Sequence, residues 1–395
     1  MSQTIPMPRI KTRRVHYFSG FDPRGAAFYH RLYREEARKQ SAHNNAKLTV
    51  GPRQRRNDLV SAWDVSSELD GEQTRTDYQF MHWDDLARAN WQRSPWLLWA
   101  GGLGPWVKLF TCGYWMRIRS VSKPASLSGA FPAALFLVFL LLASLVGIGV
   151  GYFSSLSGLG MWVSLALGGV SSGLVLRSGF AAAEKLGGHW ILRTILFVRS
   201  WALGEQRPLD RRFDEFASHV IQEQKRNPVD EVLLVGHSIG SIVAVDVAAR
   251  LTAKSLLEHD RVKLLTLGHC IPMLSFLPEA NEFRESMKIL ATVKAIPWTD
   301  VTIPPDPLCF YGLDPLEMLG EIAPGLQGPR MAVARVYRMF RQETYSRLRW
   351  NKLRLHFQYL MASELPADYD YFLTTAGPLP LDESLALCEI QSSHV

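Results

Sequence analysis

The strongest pattern along the chain is a block without charge. Between positions 124 and 176 there is no Asp, Glu, Lys or Arg, although charge is dense on both sides. Within the block, residues 131–153 read FPAALFLVFLLLASLVGIGVGYF. A membrane-spanning helix needs about 20 predominantly apolar residues, and this run is long enough. A short Ser/Gly linker leads to a second apolar run at 159–176, richer in Gly and Ser. Small residues let two membrane helices pack closely. The pattern predicts a hairpin of two transmembrane helices. A buried hairpin in a soluble core and a re-entrant monotopic hairpin are the alternatives. Arg117, Arg119 and Lys123 precede the first run, and Arg177, Lys185 and Arg193 follow the second. Two spans with basic residues at both outer ends place both flanks in the cytoplasm.

Outside this block the apolar spacing alternates between strand and helix periods. Residues 14–20 (RVHYFSG) read as a strand closed by the turn signal Phe21-Asp22-Pro23-Arg24-Gly25. Residues 26–40 have helical spacing, with Phe28, Leu32, Tyr29 and Tyr33 on one side. Residues 53–57 read as a polar basic loop, and 78–83 as a second strand. Phe213, Phe216, Ala217, Val220 and Ile221 mark an amphipathic helix over 210–227, stopped by Pro228. Strands follow at 232–235, 262–267 and 292–296, with a helix at 241–250. Residues 330–349 read as a long basic helix whose apolar members are Met331, Val333, Val336, Tyr337 and Phe340. Strands alternating with helices predict an α/β fold, a mostly parallel sheet with helices on both faces. The expected organisation is an N-terminal part at 1–90, a Trp-rich interfacial segment at 91–123, the hairpin at 124–180, and a C-terminal part at 200–395.

Composition adds three points. The formal net charge is +7, but no nucleic-acid motif accompanies it, so no nucleic-acid partner is expected. Several basic residues flank the apolar block, where anionic lipid headgroups attract them. Trp91, Trp96, Trp99, Trp106 and Trp115 are five of the chain's 12 tryptophans. Trp favours the membrane–water interface, so this stretch reads as an interfacial segment feeding the first span. A Trp-rich core or pocket wall is the alternative. Cys112, Cys270, Cys309 and Cys388 form no metal-ligand spacing, and their sparse distribution suits a reducing compartment. The first residues, MSQTIPMPRIKTRR, have no apolar core behind them and do not read as a secretory signal peptide.

The candidate chemistry lies at Gly236-His237-Ser238-Ile239-Gly240. A buried strand, VLLV, runs into this segment, and a helix of small and branched residues, SIVAVDVAAR, leaves it. A serine on such a sharp turn is held at a helix N-terminus, where free N–H groups favour developing negative charge. Gly236 and Gly240 remove side chains that would crowd the turn. An ordinary Gly-rich strand-to-helix turn is the structural alternative.

With LLVGHSIGSIVA at this position, the chain resembles the α/β-hydrolase superfamily, in particular its lipase- and esterase-like members. The resemblance covers roughly residues 12–90 and 200–377 and leaves the hairpin as an insertion. It implies a Ser-Asp-His triad in the chain order nucleophile, acid, base. Ser238 is then the nucleophile. Asp306 in Pro-x-Asp-Pro is preferred as the acid over Asp300. His356 is preferred as the base over His259, His269 and His394, with His269 read as a pocket wall. A core histidine beside Phe357 and Tyr359 is the bland reading of His356. The resemblance further implies oxyanion donors at Ile239 and, from the loop after the first strand, Phe21; the loop lacks the His-Gly signature of many lipases. His237 would line the pocket. The expected reaction is cleavage of an acyl or lipid ester through an acyl-enzyme, beside membrane lipid, with no metal and no cofactor. A non-catalytic interaction module and an acyltransferase are the alternatives, and oligomeric state is not readable.

Overall fold

Runs of β-branched and aromatic residues build nine strands among the described residues. They are β1 (Thr12–Phe18), β2 (Lys47–Val50), β3 (Gln54–Arg55), β4 (Val60–Leu69), β5 (Glu72–Met81), β6 (Glu231–His237), β7 (Val262–Leu267), β8 (Trp298–Thr302) and β9 (Arg330–Val333). The computed structural model describes residues 9–43, 46–254, 261–292, 296–319 and 328–388. The strands form one sheet in the order β2-β4-β5-β1-β6-β7-β8-β9, with β3 paired to β4. From β5 across to β9 every neighbouring pair is parallel, whereas β2, β3 and β5 run antiparallel to β4. The fold is therefore α/β, with a mixed and mostly parallel sheet.

The helices are α1 (Gly25–Ser41), α2 (Asp84–Ala89), α3 (Pro95–Thr111), α4 (Tyr114–Val121), α5 (Lys123–Leu156), α6 (Met161–Lys185), α7 (Gly188–Ala202), α8 (Arg207–Arg226), α9 (Gly240–Lys254), α10 (Ile271–Ser275) and α11 (Asn281–Thr292). Five short helices follow: α12 (Val336–Met339), α13 (Gln342–Leu348), α14 (Lys352–Phe357), α15 (Tyr371–Ala376) and α16 (Leu381–Ser384).

Alternation along β1 divides the sheet's two faces. Val15 and Tyr17 join one buried cluster with Tyr29 and Tyr33 of α1 and with Leu355, Tyr359 and Phe372 from the C-terminal region. Phe18 points the other way and meets Phe216 of α8, ring centres 5.6 Å apart. Phe213, Phe216, Ala217, Val220 and Ile221 are all buried along one stripe of α8. Each large side chain removed from water there contributes about 1.5–3 kcal/mol.

Charge is buried at the start of the central strands. Arg13 and Glu231 are both buried, and the Arg13 Nε donates to Glu231 Oε2 at 2.7 Å. The same guanidinium donates to the carbonyls of Gly377 and Leu379, while Glu231 Oε1 accepts from Leu381 N–H. Lys263 Nζ lies 3.3 Å from Glu231 Oε1. This cluster ties β1, β6 and β7 to the C-terminal segment.

The chain divides into two units, residues 1–90 with 200–395, and residues 91–199. In the second unit, α5 and α6 are long and apolar enough to cross a membrane. Most of their apolar side chains face outward, including Leu141, Leu145 and Ile148 of α5 and Trp162 and Val170 of α6. The two helices touch through small residues. A Cβ on Gly168 would lie 2.6 Å from the Gly147 carbonyl oxygen, so only glycine permits this crossing. Ser172 Oγ donates to the Ala143 carbonyl at 2.8 Å. At the base of the hairpin, Leu98, Trp99 and Trp106 of α3 pack with Ala133, Ala183 and Leu192. There Trp99 Nε1 donates to His189 Nε2 at 2.8 Å, and the His189 Nδ1 faces Glu184 Oε2 at 2.7 Å.

Two expectations from the sequence need correction. The strand expected at 292–296 lies at Trp298–Thr302 instead, and α11 continues to Thr292; positions 293–295 lie outside the described residues. Asp300 is consequently inside a strand and not in the loop beyond it. The long basic helix expected at 330–349 is strand β9 followed by α12 and α13. Ala332 and Val333 are buried beside β8, and Ala334 N–H bonds to the Thr302 carbonyl. Sheet pairing outweighs the helical spacing in this stretch. The antiparallel strands β2, β3 and β4 were not foreseen, because Asp64, Ser66 and Ser67 interrupt the apolar pattern of β4.

Replacing Glu231 by Ala should leave Arg13 buried without its carboxylate and cost about 3–5 kcal/mol. Chemical unfolding of the detergent-solubilised chain measures this, and an unchanged midpoint would refute the structural role given to the pair.

Candidate active site

The parallel strands β1, β6, β7 and β8 all end at one edge of the sheet, and the chemistry-bearing residues follow those ends. Ser238 sits directly after β6 with φ of 58°. A non-glycine residue in this left-handed region costs about 1–3 kcal/mol and persists only where its surroundings over-determine it. Those surroundings are visible. Ser238 N–H donates to the Leu267 carbonyl at the end of β7, at 3.0 Å. The Ser238 carbonyl accepts from Ser241 N–H at 3.0 Å and from the Ser241 hydroxyl at 2.5 Å.

Steric packing closes the turn. A Cβ on Gly240 would overlap the Phe18 carbonyl oxygen and lie 2.5 Å from that of Ser19. A Cβ on Gly236 would lie 2.5 Å from the Gly240 carbonyl oxygen. The helix can therefore start this close to β1 only with glycine at both positions. Ser238 itself is half-buried, while its neighbours His237 and Ile239 are buried.

The loop after β1 lies against the serine. A Cβ on Gly20 would be 3.1 Å from Ser238 Cβ and 3.4 Å from Ser238 Oγ. Phe21, next along, is buried with its ring 6.4 Å from Trp83. Trp83 Nε1 donates to the Ser19 carbonyl at 3.0 Å. Asp22 braces the loop, accepting from Arg24 N–H at 2.9 Å, from the Arg24 guanidinium, and from the Tyr29 hydroxyl at 2.8 Å. Ile239 occupies the residue before α9, where a helix's first N–H groups have no acceptor within the helix. Ile239 thus follows Ser238 on the helix side, and on the loop side the residue close to Ser238 is Gly20, the one before Phe21.

Asp306 and His356 meet. His356 Nδ1 lies 2.8 Å from Asp306 Oδ2, which makes Nδ1 the protonated nitrogen facing the carboxylate. The Tyr359 hydroxyl donates to the same oxygen at 3.2 Å, and Leu308 N–H donates to Oδ1 at 2.9 Å. The Tyr359 hydroxyl in turn accepts from Ile303 N–H at 2.9 Å. Burial opposes the Asp306 charge, yet the nearby His356, its hydrogen bond and that of Leu308 N–H hold the carboxyl below the usual carboxylate range. The pair adjoins the elbow through His237, whose ring centre is 5.0 Å from that of His356.

Asp300, the other acid considered, has different surroundings. It is fully buried in β8, and its Oδ1 accepts from the Thr266 hydroxyl at 2.5 Å. Its Oδ2 has no hydrogen bond among the described residues and lies 3.8 Å from His269 Nε2. Burial pushes the Asp300 carboxyl up, against the weaker pull of His269 and Thr266. His269 is also buried, its Nε2 3.2 Å from the Leu313 carbonyl. His259 and His394 lie outside the described residues.

The residues to which sequence reasoning gave no part in the site are Gly20, Cys270 and Tyr359. Cys270 Sγ lies 3.7 Å from Ser238 Oγ and 3.3 Å from the Leu308 carbonyl, between elbow and acid loop. Burial pushes the Cys270 thiol up to about 12, so it stays protonated. Tyr359 follows His356 by three residues, and that spacing was the available signal. Cys270 and Gly20 adjoin singled-out residues but carry no pattern of their own. Among the described residues no group of three His, Cys, Asp or Glu side chains could hold a metal ion. Set against protein-family models, curated proteins and solved structures, the chain has no significant match.

His237 gives a pH test. It is buried, and its Nε2 donates to the His356 carbonyl at 2.8 Å. Burial, followed by the nearby His356, pushes its imidazole down to about 3. The unfolded chain therefore binds a proton on this residue below about pH 6.5 that the folded chain refuses. Stability should fall as pH drops from about 6.5 towards 3, at about 1.4 kcal/mol per pH unit for this one group. His237→Gln retains a donor for the His356 carbonyl and should reduce the acid slope by that amount. Unfolding midpoints across this range check it, and an identical slope would remove His237 from the account.

Proposed function

We propose that this chain is a membrane-anchored serine hydrolase of the α/β-hydrolase type, acting on acyl or lipid esters. One observation carries the reading. A left-handed serine on a strand-to-helix elbow shares a sheet edge with a buried His-Asp pair. A positive φ at serine is uncommon, and such outliers concentrate at functional sites.

The chemistry follows from the placement. Asp306 holds Nδ1–H of His356, which leaves Nε2 as the basic nitrogen. In the substrate complex His356 takes the proton of Ser238 Oγ as that oxygen attacks the ester carbonyl. The tetrahedral oxyanion is stabilised by Ile239 N–H and by an N–H of the loop at Phe21. Collapse expels the alcohol, which takes the proton back from His356. Water, activated by the same imidazole, then releases the acid and regenerates Ser238. No step requires a metal or an organic cofactor.

The membrane part of the proposal rests on α5 and α6, long and apolar enough to cross a bilayer. Basic residues at both outer ends favour a cytoplasmic hydrolase unit. A bilayer anchor raises the local concentration of lipid esters, which favours an apolar acyl substrate.

A fluorophosphonate probe should label the purified wild-type chain, and Ser238→Ala should abolish labelling. Folded wild type that stays unlabelled would sink the enzyme reading and leave a non-catalytic module. Asp306→Asn should slow ester turnover by about 10⁴-fold, as loss of a triad carboxylate does. Asp300→Asn, at a carboxyl that burial pushes up and that makes no hydrogen bond to His356, should turn over within a few-fold of wild type. The reverse ranking of the two variants would reassign the acid.

A further inference from the structure

The segment 341–354, comprising α13, the bend after it and the start of α14, forms an exposed basic arch. Arg341, Arg347, Arg349 and Lys352 are exposed, and none of them takes part in an ion pair among the described residues. Glu343 is the only acidic residue in the segment. At its crest Trp350 is 71% exposed, and Leu353 is 41% exposed. The Arg349 guanidinium lies 4.9 Å from the Trp350 ring centre and the Lys352 ammonium 5.9 Å from it. The indole is thus mostly in solvent, with both cations close to its ring.

We infer that this arch is a docking element for an anionic lipid surface. Three features select that partner. The cations are unpaired, so they are available to phosphate and carboxylate headgroups, each contributing about 1 kcal/mol near such a surface. Trp350 and Leu353 supply apolar groups that insert at headgroup depth, where tryptophan is favoured. The same chain carries two helices long enough to hold it at a bilayer.

The arch is coupled to the candidate site by one helix. Lys352 and Leu353 begin α14, and His356 and Phe357 end it, four residues on in each case. That is about one helical turn, or roughly 6 Å of rise. Phe357 also faces Phe28, ring centres 6.5 Å apart, with the Arg24 guanidinium 5.0 Å from its ring. Docking the arch on lipid would bring the end of α14 that carries His356 close to the headgroup layer, where an ester carbonyl of a membrane lipid lies. That link to substrate rests on the hydrolase reading, whereas the docking surface rests on the arch alone.

The test uses the full chain reconstituted into vesicles. In a Cys112→Ser background the other three cysteines are buried, so Trp350→Cys can carry a single environment-sensitive fluorophore. The exposed crest position tolerates this change. Emission should shift to the blue in vesicles containing phosphatidylserine relative to pure phosphatidylcholine. The shift should vanish in the Arg347→Glu/Arg349→Glu/Lys352→Glu variant. It should also vanish in about 1 M salt, where the Debye length is about 3 Å. A fluorophore at Glu72→Cys, where β5 begins at the opposite edge of the sheet, should not respond. Equal emission in both vesicle types, or an equal response at position 72, would overturn the proposal. So would a shift produced by polyuridylate but not by vesicles, which would reassign the arch to nucleic acid. Fluorophosphonate labelling of the same samples reads Ser238 separately. Labelling without a shift fails the docking surface alone, and a shift without labelling fails the hydrolase reading alone.

Discussion

The left-handed turn at Ser238 is the constraint around which the first unit is built. A serine adopts φ of 58° only if something holds it there. Here the end of β7 takes its N–H, the first turn of α9 takes its carbonyl, and the carbonyls of β1 leave room only for glycine at position 240. Each brace lies on a different strand or helix. The register of β1, β6 and β7 is therefore part of the site, and a one-residue slip would break it. The buried Arg13–Glu231 pair fixes the other ends of β1 and β6, directly opposite one another. A costly ion pair at one edge of the sheet thus keeps the strained turn at the other edge in place.

Environment, not residue type, separates the two buried aspartates. Asp306 receives a backbone N–H, a tyrosine hydroxyl and an imidazole N–H. Asp300 receives one hydroxyl, and its second oxygen has no hydrogen bond among the described residues, with His269 Nε2 3.8 Å away. Burial raises both carboxyls; at Asp306 the nearby His356, its hydrogen bond and Leu308 N–H outweigh that, whereas at Asp300 His269 and Thr266 do not. The tyrosine matters twice, since Tyr359 also accepts from Ile303 N–H and so fixes the loop that presents Asp306.

The legible parts of the sequence are those where a local pattern and the tertiary environment agree. Residues 262–267 and the α8 stripe are buried, regular and bounded by breakers, and both lie where periodicity places them. The elbow was legible because glycine spacing, strand and helix all occur within a few residues. The region after α9 was less so. The spacing of Met331, Val333 and Val336 fits a helix locally, but β8 offers an open edge and β9 takes it. The antiparallel strands β2 to β4 were illegible for a related reason: β4 takes its place by pairing with β5, and exposed polar residues such as Asp64 and Ser66 interrupt its apolar pattern. In the candidate site, chain order pointed to Asp306 and His356, but nothing in the sequence pointed to Cys270 or Gly20. Their places depend on how far apart the ends of β1, β6 and β7 come to lie, which is a property of the sheet.

A membrane anchor and an orienting surface do different physical work. A membrane-spanning anchor confines whatever is linked to it to a thin layer beside the bilayer, an effect set by linker length and not by contacts. It does not choose which face of the unit meets the headgroups. The choice requires differential contact, since a surface that binds all orientations equally favours none. In this chain the uncompensated cations gather on the arch that leads into His356, and Trp350 stands among them. A few cations at about 1 kcal/mol each amount to a preference of tens- to hundreds-fold for one orientation. That magnitude is enough to hold a face towards an anionic surface and small enough to release it.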